Sequence, residues 1–114
     1  MFFEKWFPKK PKDKYIRKFW EDFSARSDLF LNILQEGDPE SEDFLWMDSL
    51  VRRWMKMCCI DSDAGYDFRF DIRREPPRLL FFHKKNEYLQ KVGARMAELF
   101  PQELQGKIDF VVAE

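Results

Sequence analysis

Four groups of residues in the chain are of the types that do chemistry. His83 is the single histidine among 114 residues. Histidine is the side chain whose charge changes near neutral pH, so it is the first place to look for a general acid or base. It stands at the end of the apolar run Leu79-Leu80-Phe81-Phe82 with no obvious partner, and a strand-end cap is the expected role. Cys58 and Cys59 are adjacent. A disulfide between neighbours is strained, so both read as thiols, which suits a reducing cytoplasm. Only Lys56 is cationic nearby, so neither thiol has an activating partner and both read as buried structural groups. Asp61-Ser62-Asp63-Ala64-Gly65 has the look of a calcium loop. Its glycine is fifth instead of sixth, and Ile72 stands where a bidentate Glu belongs, so it reads as an ordinary turn. The fourth group is an alternation. Asp67, Arg69, Asp71 and Arg73 interleave with Tyr66, Phe68, Phe70 and Ile72. These charges are expected to pair on a wet strand face instead of acting as acid and base.

Arg69, Arg73, Arg74 and Arg78 also gather near this strand. Arginine suits carboxylate and phosphate recognition, so the face bearing Arg69 and Arg73 is a candidate ligand surface. The strand offers no exposed aromatic rings for base stacking, and nucleic acid is disfavoured. No glycine-rich phosphate loop is present, no cofactor or metal is implied, and the reading leans away from an enzyme.

The elements that position these residues follow from periodicity. Residues 66–73 alternate at period two and make a half-buried strand. Pro76-Pro77 marks a connection. Residues 78–84 are apolar on both faces and form a second strand, paired with the first in a hairpin. Asn86 caps a helix with Glu87 in its first turn. Leu89, Val92, Met96, Leu99 and Phe100 give that helix an apolar stripe, and Pro101 and Gly106 end the connection to a last strand over 107–114. The simplest sheet places the first strand in the centre, antiparallel to both others; the alternative puts the second and third side by side. Upstream, residues 14–35 form one helix with an interruption between Ser24 and Ser27, stopped by Gly37. Asp38 as N-cap and Pro39 at the first helical position open a second, broadly apolar helix. Its stripe is Phe44, Met47, Val51, Trp54, Met55 and Cys58, while Leu45, Trp46, Leu50 and Met57 spread onto other faces. The predicted class is α+β, with two N-terminal helices packed on a small three-stranded sheet (α-α-β-β-α-β).

Composition bounds the rest. The length fits one domain, and 45% hydrophobic residues exclude a disordered chain. A net charge of −1 selects neither nucleic acid nor membrane as a whole. Charge is nevertheless segregated: residues 36–48 hold six acids and no base, whereas residues 1–18 hold seven bases and two acids. The chain divides into a basic aromatic arm, 1–14, and a single domain, 15–114. Phe2, Phe3, Trp6 and Phe7 crowd the arm between lysines, a composition that suits an interfacial anchor or a protein contact. No secretory signal or spanning stretch is expected.

Two resemblances arise from these segments. The Phe2-to-Lys10 stretch resembles the "FFxKxF-x-KK" N-termini of some bacterial peripheral-membrane proteins, such as the signal-recognition-particle receptor. "KFWEDFSARSDLFLNIL", "YDFRFDI" and "LLFFHKKNEYLQKVGARMAELFP" together resemble a group of small uncharacterised bacterial proteins over residues 18–114. Phe19-Trp20 and Asn86-Glu87 are the best matching points. That resemblance implies an α+β fold and assigns no activity. The expected function is a cytoplasmic, non-enzymatic protein–protein interaction module, self-associating as a homodimer or binding another protein. Phe2, Phe3, Trp6, Phe7 and Trp46 are its contact residues. The alternatives are a peripheral membrane adaptor held by the arm, and a ligand-binding or enzymatic domain using the Arg69/Arg73 face.

Overall fold

A computed structural model describes residues 9–114. Helix α1 spans Asp13–Ala25, α2 Ser27–Glu36 and α3 Glu42–Cys58. Strands β1 (Asp67–Asp71) and β2 (Arg78–Phe82) follow, then α4 (Glu87–Glu98), a 3-10 turn at Gln102–Leu104 and β3 (Asp109–Ala113). The class is α+β, as expected. The long first helix is two helices. Arg26 leaves helical geometry at φ −114° and ψ 13°, and the break lets Phe23 and Phe30 meet edge to face at 5.2 Å. Gly37, at φ +70°, supplies the left-handed stop that ends α2. The start of α3 differs from expectation. Asp38 makes a local turn by accepting from the Glu40 N–H, and Ser41 is the N-cap, accepting from the Phe44 N–H at 3.1 Å. Asn86 caps α4 as expected, accepting from the Leu89 N–H at 3.0 Å.

The sheet corrects the preferred order. It runs β1-β2-β3, with β1 antiparallel to β2 and β2 parallel to β3. The alternative arrangement, with β2 and β3 adjacent, is the one present. The reason lies in β2. Leu79 and Phe81 face the helices and Leu80 lies on the opposite face, and all three are buried. A strand apolar on both faces needs a neighbour on either side, whereas a strand with one charged face tolerates an edge.

One face of the sheet carries the core. Helix α4 lies against it so closely that a Cβ on Gly93 would stand 2.8 Å from Val112 Cγ1. Trp20 of α1 reaches β3 and the end of α4: its ring is edge to face with Phe100 and Phe110, and its indole N–H donates to the Met96 carbonyl at 3.0 Å. Phe44 of α3 meets Phe70 of β1. Ile16, Phe19, Phe23, Phe30, Met47, Val51 and Met55 fill the space between.

Candidate functional site

Phe2, Phe3, Trp6 and Phe7 lie outside the described residues. The chain just after them is tied down. Lys9 Nζ donates to the Asp61 carbonyl at 2.8 Å and pairs with the Asp63 carboxylate at 2.9 Å. Lys12 pairs with Asp61 at 3.5 Å. Asp13 takes a two-pronged bond from Arg95, at 2.9 and 2.7 Å. That guanidinium holds the Asp13 carboxyl below its ordinary pKa, and the carboxylate in turn raises the pKa of Arg95. The acids of the turn that resembles a calcium loop are therefore engaged by lysines, and Ser62 braces the turn from within by accepting from the Ala64 N–H.

The charged strand is sorted more finely than alternation suggests. Asp67 and Arg69 are exposed, and the Arg69 guanidinium lies 5.6 Å from the Phe82 ring centre. Asp71 is buried, at 6% exposure. It accepts from Arg78 at 2.7 Å and from the Arg73 backbone and side chain at 3.1 and 3.4 Å. Arg78 is its cross-strand partner in the ladder. The Arg78 bond and the Arg73 backbone N–H hold the carboxyl at about 2, below its ordinary 3.8. Placing Asp71 on the wet face with Asp67 was therefore only half right: it shares that face but is covered by two guanidiniums. Arg73 itself remains exposed. The structure brings Arg73 and Arg78 together on one carboxylate and leaves Arg69 apart.

Beside β1 runs a groove of about 490 Å³. Its walls include Phe44, Asp48 and Arg52 of α3 and the consecutive residues Phe68 to Arg73. Consecutive residues from both strand faces can line one groove only along the strand's outer edge. Arg52 was missed in the sequence. It pairs with Asp48 at 3.3 Å, four residues earlier on the helix, and its guanidinium sits 4.5 Å from the Phe68 ring centre. The Asp48/Arg52 spacing was the available signal.

Trp46 lies on another side of α3. It is 46% exposed, touches Phe30 edge to face at 6.1 Å, and is flanked by Leu45 at 57% exposure. One and three turns further along, Leu50 is half-buried and Met57 exposed on the same side.

His83 is a turn residue. Its Nδ1 accepts from the Lys85 N–H at 2.9 Å and its carbonyl from the Asn86 N–H at 2.8 Å. Lys84 and Lys85 take left-handed φ angles of 53° and 59° between strand and helix. Cys58 and Cys59 are buried free thiols. Burial pushes Cys59 up to about 12 and Cys58 higher still. No helix among the described residues is long and apolar enough to cross a membrane.

Comparison of the chain with models of protein families, with curated proteins and with solved structures returns no match.

Proposed function

We propose that the protein acts by binding another protein, and that the outer side of α3 is its contact surface. The observation that carries this reading is the exposure of Trp46 beside Leu45, with Leu50 and Met57 continuing the apolar side along the helix. Exposed Arg53 lies on the same side. Tryptophan and arginine are the residue types that dominate binding energy at interfaces, and aromatic residues are enriched at their centres. Helix α3 fills the core chiefly from its other side with Phe44, Met47, Val51 and Met55; Leu50 packs at the core's margin and Trp46 leans on Phe30, while Leu45, Met57 and much of Trp46 stay exposed. The aromatic arm, Phe2 to Phe7, belongs to the same reading as a second contact element.

A photo-reactive phenylalanine at position 46 tests this in the cells that make the protein. The expected result is one adduct of discrete mass, absent when the probe replaces exposed Glu103 on the far turn and lost when Leu45 is changed to Glu. An adduct pattern identical at positions 46 and 103 would refute the assignment.

A further inference from the structure

We infer that the outer edge of β1 is built to pair with the same edge of a second copy of this chain, antiparallel and about a two-fold axis through Phe70. The inference uses a surface other than the Trp46 side of α3 and stands or falls separately from it.

The first observation is that β1 ends the sheet, with β2 on one side and no strand on the other among the described residues. The outward N–H and C=O groups of such a strand are a template for another strand. The groove along that edge, about 490 Å³, leaves room beside it.

Charge order identifies the occupant. Along β1 and just past its end the polar face reads Asp67, Arg69, Asp71, Arg73: minus, plus, minus, plus. Reversing this string against itself matches every charge with its opposite. With Phe70 facing Phe70 of the second copy, Arg69 stands opposite Asp71 of that copy, and Asp67 opposite its Arg73. Symmetry doubles both pairings: the Arg69 pairs bring a further guanidinium to a carboxylate already held by Arg78 and Arg73 of its own chain, and the Asp67 pairs use Arg73 in the bend that follows the strand. On the other face, Phe68 meets Ile72 of the second copy, and Phe70 meets its twin.

The neighbouring registers fail. An axis through Arg69 sets Arg69 against itself and Asp67 against Asp71. An axis through Asp71 sets that carboxylate against itself and Arg69 against Arg73. Slipping one copy by a single residue puts arginine opposite phenylalanine on the wrong face. Opposite charges facing across strands stabilise a pair and like charges oppose it. Charged side chains on an edge strand commonly blunt association, so it is the order of the charges that decides whether a second copy is accepted. The pattern here repels in the adjacent two-fold registers and attracts in the one between.

Asp67 is exposed, so it can be reversed with little effect on folding. Arg73 is exposed too but bonds the buried Asp71 through its side chain at 3.4 Å, so urea unfolding of each variant first establishes that it is folded at the concentrations compared. The full-length chain is measured by sedimentation equilibrium from about 10 µM to about 1 mM, the range in which a small edge contact associates. Wild type is expected to form dimers. Asp67→Arg and Arg73→Asp each set like charges opposite at both ends of the pair, and each is expected to weaken self-association on the order of tenfold. Mixed together, the two variants are expected to associate with each other, because Arg at position 67 then faces Asp at 73, and the native Asp67 faces the native Arg73. The double reversal in one chain restores the homodimer. Arg69→Asp, also at an exposed site, opposes two acids at the centre and is expected to leave a monomer. A wild type that stays monomeric at about 1 mM overturns the inference. So does a dimer insensitive to either single reversal, or a pair of weakened variants that do not associate on mixing.

Discussion

Replacing Gly93 with alanine tests how α4 is seated on the sheet. In an exposed helix this change stabilises by about 1 kcal/mol, because glycine is the more flexible residue in the unfolded chain. Here the added Cβ would meet Val112 Cγ1 at 2.8 Å and Cγ2 at 3.1 Å, with Phe81 Cδ2 also at 3.1 Å. Both methyls of a short, branched side chain are in the way, and a branched side chain has few rotamers to escape into. Forcing a methyl into a packed contact costs about 2 kcal/mol, so the net expectation is a loss of about 1 kcal/mol. In a chain of this length that lowers Tm by roughly 4 °C. The decisive comparison is made with Val112→Ala, which removes both obstructing methyls. In that background Gly93→Ala is expected to stabilise by up to about 1 kcal/mol, because the helix gain remains and most of the clash is gone. The sign of the glycine effect thus reverses, with a coupling of about 2 kcal/mol between the two sites. Urea unfolding of the four proteins, read at constant m, measures it. A stabilising Gly93→Ala in the wild-type background would refute the close approach of α4 to β3.

Four other outcomes are expected. Trp20→Phe removes the buried donor to the Met96 carbonyl and part of a ring packed on Phe100 and Phe110, and should cost about 3 kcal/mol in urea unfolding. A chain starting at Lys14 should unfold at lower urea than one starting at Lys9, because only the longer keeps the Asp13–Arg95 bond and the lysine contacts to Asp61 and Asp63. The lowered pKa of Asp71 makes its contribution present above pH 4 and lost as pH falls toward about 2, so Asp71→Asn should flatten the acid side of the stability curve in that window. The raised pKa values of Cys58 and Cys59 work in the other direction. Their neutral form is the one the fold accepts, so stability should decline as pH rises from about 9, and neither thiol should react with a disulfide reagent until the chain unfolds.

The residues that were legible in the sequence are those whose role is local. Gly37 and Asn86 stop and cap helices through their own backbone and side chain, and both do so in the structure. The apolar stripe of α3 was legible because 3.6-residue periodicity needs no knowledge of the rest of the fold. The N-cap of α3 was misplaced because Asp38 and Ser41 both suit the position. Asp38 takes up the Glu40 N–H in a turn of its own, which leaves Ser41 to start the helix. Gly93 gave no signal, because its importance is a distance to a strand sixteen residues further on. For Arg52 the spacing to Asp48 was a local signal, but the placing of its guanidinium over Phe68 across the groove depends on the tertiary fold. The break at Arg26 was visible only as an interruption, since the contact it permits, Phe23 on Phe30, depends on how the two helices turn against each other.

Sheet order had the largest consequence for function. The simplest sheet puts the strand with alternating charges and rings in the centre, but alternation says which face is wet and not how many neighbours the backbone has. The better guide was β2. Leu80 lies on the face away from the main core and is still only 7% exposed, because Arg69 and Val111 flank it in the ladders on either side. Had β1 been central, its charges would each have faced two neighbours and been paired within the sheet. At the edge each faces one. Asp71 finds Arg78 across the ladder and is buried; Arg69 finds Leu80 there and covers Phe82, with no acid paired to it among the described residues; Asp67 finds Phe82 there and is exposed. Three residues of one alternating face thus end with three different amounts of unused charge, and the difference is set entirely by what β2 presents. The charge exposed on Asp67 and Arg69, and on Arg73 just past the strand, which it shares with Asp71, is the part of this edge open to a partner, and its order along the chain decides which partner is accepted.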